Sequence, residues 1–310
     1  MQLGAHMDRV SSRQAQFAQD DARLLAEIDA AIESGLTTAA IVDPASFPQA
    51  WSQFGTLANA RGGGSLFVGG SQAHDPAVSP LLLPLQRADT STHSSLMRIA
   101  RHAPAVVWLA SDMNPRTLVE ALAAKLRAEL ADRRQPITLR YYDPRVLPEL
   151  LKALDHKQQC NLNDGIRAWW WLDRRNTLAY NAPAAQQVMS EKVSPFSASV
   201  VLSDNQVQDL LDASFVDRVL DLIQRSSPET LKLFDRGERY DIAIRLIEAA
   251  AACGLASEFD CASYIAVALR NGEGFVEQPE WTDLMSEVKS GAMRFTDAIE
   301  RWEQRRAHAA

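Results

Sequence analysis

Apolar positions follow two different rhythms along the chain, and the change falls near residue 202. Before it, short runs rich in β-branched, aromatic or Leu/Ala residues alternate with stretches of helical period. After Ser203 almost every stretch is helical in period. In residues 12–34, Phe17, Leu24, Leu25, Ile28 and Ile32 make one apolar face, and Gly35 is placed to end the helix. Residues 39–42 read as a short buried strand. Asp43-Pro44 follows it with a capping side chain and a proline that needs no amide hydrogen, which predicts a helix carrying Phe47 and Trp51.

The stretch 61–95 is rich in loop formers. It holds Gly62-Gly63-Gly64, candidate short strands at 66–68 and 81–83, and a helix around 94–101. Residues 105–109 form the next strand. Asn114-Pro115 then repeats the cap-plus-proline grammar and opens a helix over 115–132, with Leu118, Leu122, Leu126 and Leu130 on one stripe. Residues 137–142 read as a strand, and Asp143-Pro144 starts a third helix over 144–154. Pro148 inside it calls for a kink or a tight first turn. Runs at 168–172 and 177–180 flank Asp173-Arg174-Arg175-Asn176 as a hairpin, and 198–202 is a last strand. Ser203 with Gln206 matches a capping box. Helices follow at 204–212, 214–225, 228–235, 239–252, 258–270, 280–289 and 294–306.

This pattern predicts an α/β (α+β) protein: a mixed-sheet N-terminal lobe with flanking helices, followed by an all-helical C-terminal lobe. The expected divisions are a tag-like or disordered start at 1–11, in which Gly4-Ala5-His6-Met7 resembles a cloning scar, an α/β lobe at 12–202 and a helical lobe at 203–310.

Composition narrows the function. The 310 residues are 46% hydrophobic and 23% charged, which fits a folded chain throughout. A net charge of −7 offers no general attraction to nucleic acid, so no nucleic-acid partner is expected. Apolar runs are too short for membrane insertion, and no apolar leader is visible, so the cytoplasm is the expected location. Cys160, Cys253 and Cys261 are too few and too scattered for a disulfide framework and suit free thiols.

Candidate chemistry is sparse. The glycine triplet 62–64 lacks the following Lys of a phosphate loop. His6, His74, His93, His102, His156 and His308 make no HExxH or other close ligand pair, so no metal is expected. No Gly-x-Ser-x-Gly elbow is present. Trp169, Trp170 and Trp171 would alternate across a strand. They are either core on both faces or, where exposed, a platform for a protein partner. In Arg140-Tyr141-Tyr142-Asp143-Pro144-Arg145, Arg140 and Tyr142 would share a strand face, Asp143 would cap the next helix, and either arginine could pair with it. The segment reads as a structural latch or as a ligand-holding cleft.

The run at 139–147, Leu-Arg-Tyr-Tyr-Asp-Pro-Arg-Val-Leu, followed by Leu150, Leu151 and Leu154, resembles the signature of the domain of unknown function 4123 family, adaptor chaperones of the bacterial type VI secretion system. Val107-Trp108-Leu109-Ala110-Ser111, the leucine-rich helix with Leu126-Arg127, and Ile41-Val42-Asp43 extend the likeness over most of 37–180. The segment from Gly272 to Trp281 is similar to part of the helical lobe that often follows in that family. The resemblance implies a non-enzymatic cytoplasmic adaptor that binds a toxic type VI effector and helps load it onto the VgrG spike. Two rivals stay open: a hydrolase acting near Arg140 and Asp143, and an immunity-type protein that neutralises a toxin.

Overall fold

In the computed structural model, which describes residues 2–67, 75, 78–132, 136–183 and 200–309, the chain divides into two units, Met1–Leu210 and Leu211–Ala310. Side chains are described from residue 13 onward. The start expected to be tag-like or disordered at 1–11 is helical in its backbone from Gln2 onward, while its side chains, that of His6 among them, fall outside the description, as do His74, Val68 and the first two residues of the expected strand at 198–202.

The N-terminal unit runs α1 (Gln2–Glu33), β1 (Thr37–Val42), α2 (Ala50–Ala60), β2 (Gly64–Ser65), β3 (Leu81–Pro84), α3 (Thr90–His102), β4 (Val106–Ser111), α4 (Pro115–Lys125), β5 (Arg127–Leu130), β6 (Pro136–Thr138), α5 (Leu147–Ala153), α6 (His156–Asn163), β7 (Ile166–Leu172), β8 (Leu178–Asn181) and β9 (Val200–Leu202). Six strands form one sheet in the order β2-β3-β1-β4-β7-β8, antiparallel at every pairing. The mixed pairing sits in a second sheet of three strands. There β5 lies antiparallel to β6 and parallel to β9.

Strand alternation explains the continuous apolar runs. Ala39, Ile41, Val107, Leu109, Trp169 and Trp171 point into one core, with Leu118 and Leu122 of α4, Leu147 and Leu150 of α5 and Leu162 of α6. Ala40, Val42, Val106, Trp108, Ala168 and Trp170 point into the opposite core, with Leu24 and Ile28 of α1, Phe54 of α2 and Leu96 of α3. The central strands are thus buried on both faces although they are antiparallel, and β1 and β4 carry no polar face.

Several expected boundaries move. The helix after Asn114 opens as predicted, with the Asn114 side chain accepting the Thr117 amide at 3.1 Å. It stops at Lys125 rather than 132, because 127–130 pairs with both β6 and β9. Only Ala128 of that strand is fully buried, so the Leu stripe ends at Leu126. Tertiary pairing overrides helical period here. Helices were expected directly after Asp43-Pro44 and Asp143-Pro144; α2 and α5 begin only at Ala50 and Leu147. The strand expected over 137–142 ends at Thr138, so Arg140 and Tyr142 do not share a strand face. Pro148 falls in the first turn of α5, where its missing amide hydrogen costs nothing.

The glycine triplet approaches backbone, not phosphate. A Cβ on Gly63 would lie 2.2 Å from the Leu82 carbonyl oxygen, so only glycine lets the chain pass β3 at this distance. Pairing begins at Gly64, and Leu66 is buried just beyond β2.

Helix α7 (Asp204–Ala213) opens on the expected capping box: Ser203 Oγ accepts the Gln206 amide at 3.3 Å, and Gln206 Oε1 accepts the Ser203 amide at 3.0 Å. The C-terminal unit is all helical: α8 (Phe215–Ser226), α9 (Arg236–Ala252), α10 (Glu258–Asn271), α11 (Pro279–Lys289) and α12 (Phe295–Ala309), with 3-10 turns at Pro228–Leu231 and Phe275–Glu277. The helix predicted at 228–235 is the first of those turns. Asp235 and Glu238 form a capping box, so the next helix starts earlier than its apolar pattern does. The core of this unit is aromatic: Trp281 is fully buried between Phe275 at 4.8 Å and Trp302 at 5.2 Å.

Candidate functional site

The same local turn is built twice in the N-terminal unit. Asp43 follows β1 and Asp143 follows Tyr142, and each precedes a proline. In both, the Asp carboxylate accepts the amide two residues on: Ala45 N–H at 3.0 Å from Asp43 Oδ1 and Arg145 N–H at 2.9 Å from Asp143 Oδ1. In both, the Asp carbonyl accepts the next two amides, from Ser46 and Phe47 in one turn and from Val146 and Leu147 in the other. Proline fixes φ and supplies no competing donor, so the Asp side chain directs the turn.

The two carboxylates are each 1% exposed and share a cation. Arg140 Nη2 donates to Asp43 Oδ2 at 2.7 Å and lies 3.4 Å from Asp143 Oδ2. Arg145 grips Asp143 from the other side, with Nε 3.2 Å from Oδ1 and Nη2 3.0 Å from Oδ2. Two buried anions are thereby matched by two guanidinium groups: Arg145 meets Asp143 as a two-point fork, and Arg140 reaches both carboxylates through Nη2. The Arg140 guanidinium carbon stands 5.8 Å from the centroid of the Tyr142 ring. The network continues outward: Arg174 in the β7–β8 hairpin donates to the Arg145 carbonyl at 3.0 Å and to Glu149 of α5 at 2.7 Å, and Lys152 donates to Glu149 at 3.1 Å.

Protonation follows from this packing. Burial raises the Asp43 pKa, and the charge of Arg140 works against the rise without cancelling it. Burial acts to lower the Arg140 pKa, but Asp43 and Asp143 carry it above its ordinary value. Burial and the nearby Asp43 charge push the Tyr142 phenol to about 12. Glu149 is opposed by burial, yet hydrogen bonds from Arg174 and Lys152 bring it below the usual range.

The structure therefore brings Arg140, Tyr142, Asp143, Pro144 and Arg145 together as a latch, and adds Asp43, Glu149 and Arg174. Asp43 carried a signal in the sequence: its Asp-Pro pair repeats the one at 143–144. Arg174 and Glu149 had none, since only the fold brings the hairpin to α5. Asp143 acts as a turn former and ion-pair partner rather than as a helix cap.

The three tryptophans belong to the two cores of the sheet. Trp169, Trp170 and Trp171 are 0%, 3% and 6% exposed, so their surface is spent inside the fold on both faces of β7 rather than offered as a platform. Trp169 donates to Asn163 Oδ1 at 2.9 Å and meets Tyr141 edge-on at 6.1 Å, while the Tyr141 hydroxyl donates to the Leu122 carbonyl at 2.7 Å. Trp170 donates to Glu27 of α1 at 2.5 Å. Among the described residues no group of three His, Cys, Asp or Glu side chains converges on one point. Among the described residues no helix is long and apolar enough to cross a membrane.

No curated protein and no solved structure matches the chain. The family comparison agrees with the position of the latch: residues 40–161, which contain both Asp-Pro turns and Arg140, match the family described as Domain of unknown function (DUF4123), so this chain carries a DUF4123 domain.

Proposed function

We propose that the protein is a cytoplasmic, non-enzymatic adaptor that binds a toxic type VI secretion effector and helps load it onto the VgrG spike. The observation that carries the reading is the DUF4123 domain over residues 40–161, in which the 139–147 run resembles the adaptor family's signature. The chemistry of the latch supports it. The carboxylates that a hydrolase near Arg140 would use, Asp43 and Asp143, are each held by a guanidinium and by a backbone amide. Their arrangement suits a rigid scaffold that presents surfaces to other proteins. Effector and spike are recognised by apolar anchors within a polar rim, without a cofactor.

The test is affinity capture of the tagged chain from its native cell, followed by mass spectrometry and reconstitution. An adaptor brings down a toxin and a VgrG-like spike, and the three purified components form a ternary complex. Capture of a toxin alone, with its activity blocked, points to an immunity protein instead. Turnover that Asp143→Asn abolishes in a folded chain would replace the adaptor with an enzyme.

A further inference from the structure

One pair of side chains outside the latch stands at chelating distance. His156 and Cys160 lie one turn apart on α6, with Cys160 Sγ 3.6 Å from His156 Nδ1. A zinc ion bound tetrahedrally by a thiolate at ~2.3 Å and an imidazole nitrogen at ~2.05 Å separates those two donors by about 3.5 Å. The observed spacing therefore already matches the bite of a bidentate site. His156 is exposed and Cys160 half-buried, so an ion reaches the pair from solvent.

The helix that carries the pair is held from several directions. Asp155 and Gln158 close a capping box at its start. Gln158 Nε2 donates to the Val201 carbonyl at 2.6 Å, and Gln159 Nε2 donates to the carbonyls of Leu151 and Leu154 at 2.8 and 2.9 Å. Leu162 is buried in the core. A fixed backbone leaves only two side-chain rotamers to be ordered by binding, which favours chelation over capture by a lone thiol.

We propose that His156 and Cys160 form a surface site for a borderline divalent cation, with zinc as the fitting ion for one imidazole and one thiolate. The remaining coordination positions face outward and are open to water. Binding removes the thiol proton and replaces the present S–H/imidazole contact with two metal bonds.

Zinc and cobalt(II) ions are the probes, added to the full-length chain under reducing conditions free of chelating thiols. Zinc is expected to slow alkylation of Cys160 at least tenfold, read by peptide mass mapping, while Cys253 and Cys261 are unaffected. Cobalt is expected to give a near-ultraviolet thiolate-to-metal absorption that disappears in Cys160→Ser. His156→Ala should weaken apparent affinity at least tenfold, and Cys160→His should keep zinc binding while losing the thiolate absorption. An absorption that survives Cys160→Ser, or an affinity unchanged in His156→Ala, overturns the site. So does the absence of zinc protection in the parent chain.

Discussion

Arg140 and Asp43 are 97 positions apart in the chain, yet Nη2 of one lies 2.7 Å from Oδ2 of the other. This contact ties the end of the first strand to the 139–147 segment and neutralises a buried carboxylate. Removing the guanidinium takes from buried Asp43 the cation it bonds, while Asp143 keeps Arg145. A fully buried pair broken in this way costs several kcal/mol; Arg140 is 41% exposed, so Arg140→Met is expected to cost about 2 kcal/mol at neutral pH.

The pH dependence has a definite sign. The folded-state pKa of Asp43 is already raised, and losing Arg140 raises it further. The folded state then binds the proton more tightly than the unfolded state, so the deficit appears as pH rises above the unfolded carboxylate value. It shrinks as pH falls below it. Urea unfolding of parent and variant across pH, with carboxyl-carbon NMR of Asp43, checks both statements. A deficit that grows in acid would contradict the assignment.

Part of this site was legible beforehand. The Asp-Pro turns, the arginines and the strand before them are local chemistry, and the 139–147 run marked their place. The pairing partner was not legible, because a salt bridge across 97 residues depends on strand order. The same limit shortened the helix after Asn114. Its Leu stripe continues to Leu130 in sequence, but two neighbouring strands claim 127–130. His156 and Cys160 offer a weaker signal still: a four-residue spacing between two unlike ligands is common in any chain, and only the helix over 156–163 turns it into a 3.6 Å contact.

Gly63 gives a steric prediction. Its added Cβ would meet the Leu82 carbonyl at 2.2 Å and Pro84 Cδ at 2.5 Å, both on β3. Neither is the end of a flexible side chain, so β2 must move away from β3. Gly63→Ala is expected to cost about 3 kcal/mol. At Gly62, φ is +80° and the nearest contact is ordinary, so Gly62→Asn should cost about 1 kcal/mol. Equal melting temperatures for the two variants would refute the close-approach account.

Lys125 gives a pH prediction in the opposite range. It ends α4, is 5% exposed, and its Nζ donates to the Asp164 carbonyl at 2.7 Å. Burial lowers its pKa from 10.5 to about 8. Below pH 8 both states hold the proton, and the fold bears the cost of a buried charge. Between 8 and 10.5 only the unfolded state holds it, so stability rises with pH across that window by about 3 kcal/mol. Lys125→Met keeps the apolar stem but has no proton to lose. It should be the more stable protein at pH 7, by about 2 kcal/mol once the lost hydrogen bond is counted. The advantage should fade above pH 10. Parallel stability–pH curves for parent and variant would exclude this role.

Trp281 tests whether the helical unit keeps its own stability. Its indole is fully buried against Phe275, Phe295 and Trp302, all within residues 211–310. Trp281→Ala empties the centre of that core and is expected to cost about 3–5 kcal/mol. The N-terminal sheet has two cores of its own, made of β1, β4 and β7 with the helices on either face. The loss should therefore be confined to one unit. Amide hydrogen exchange read by mass spectrometry separates the cases. Protection should fall across α8 to α12 while β1, β4 and β7 keep theirs. A uniform fall over both units would mean that the 211–310 core does not unfold as a separate cooperative element.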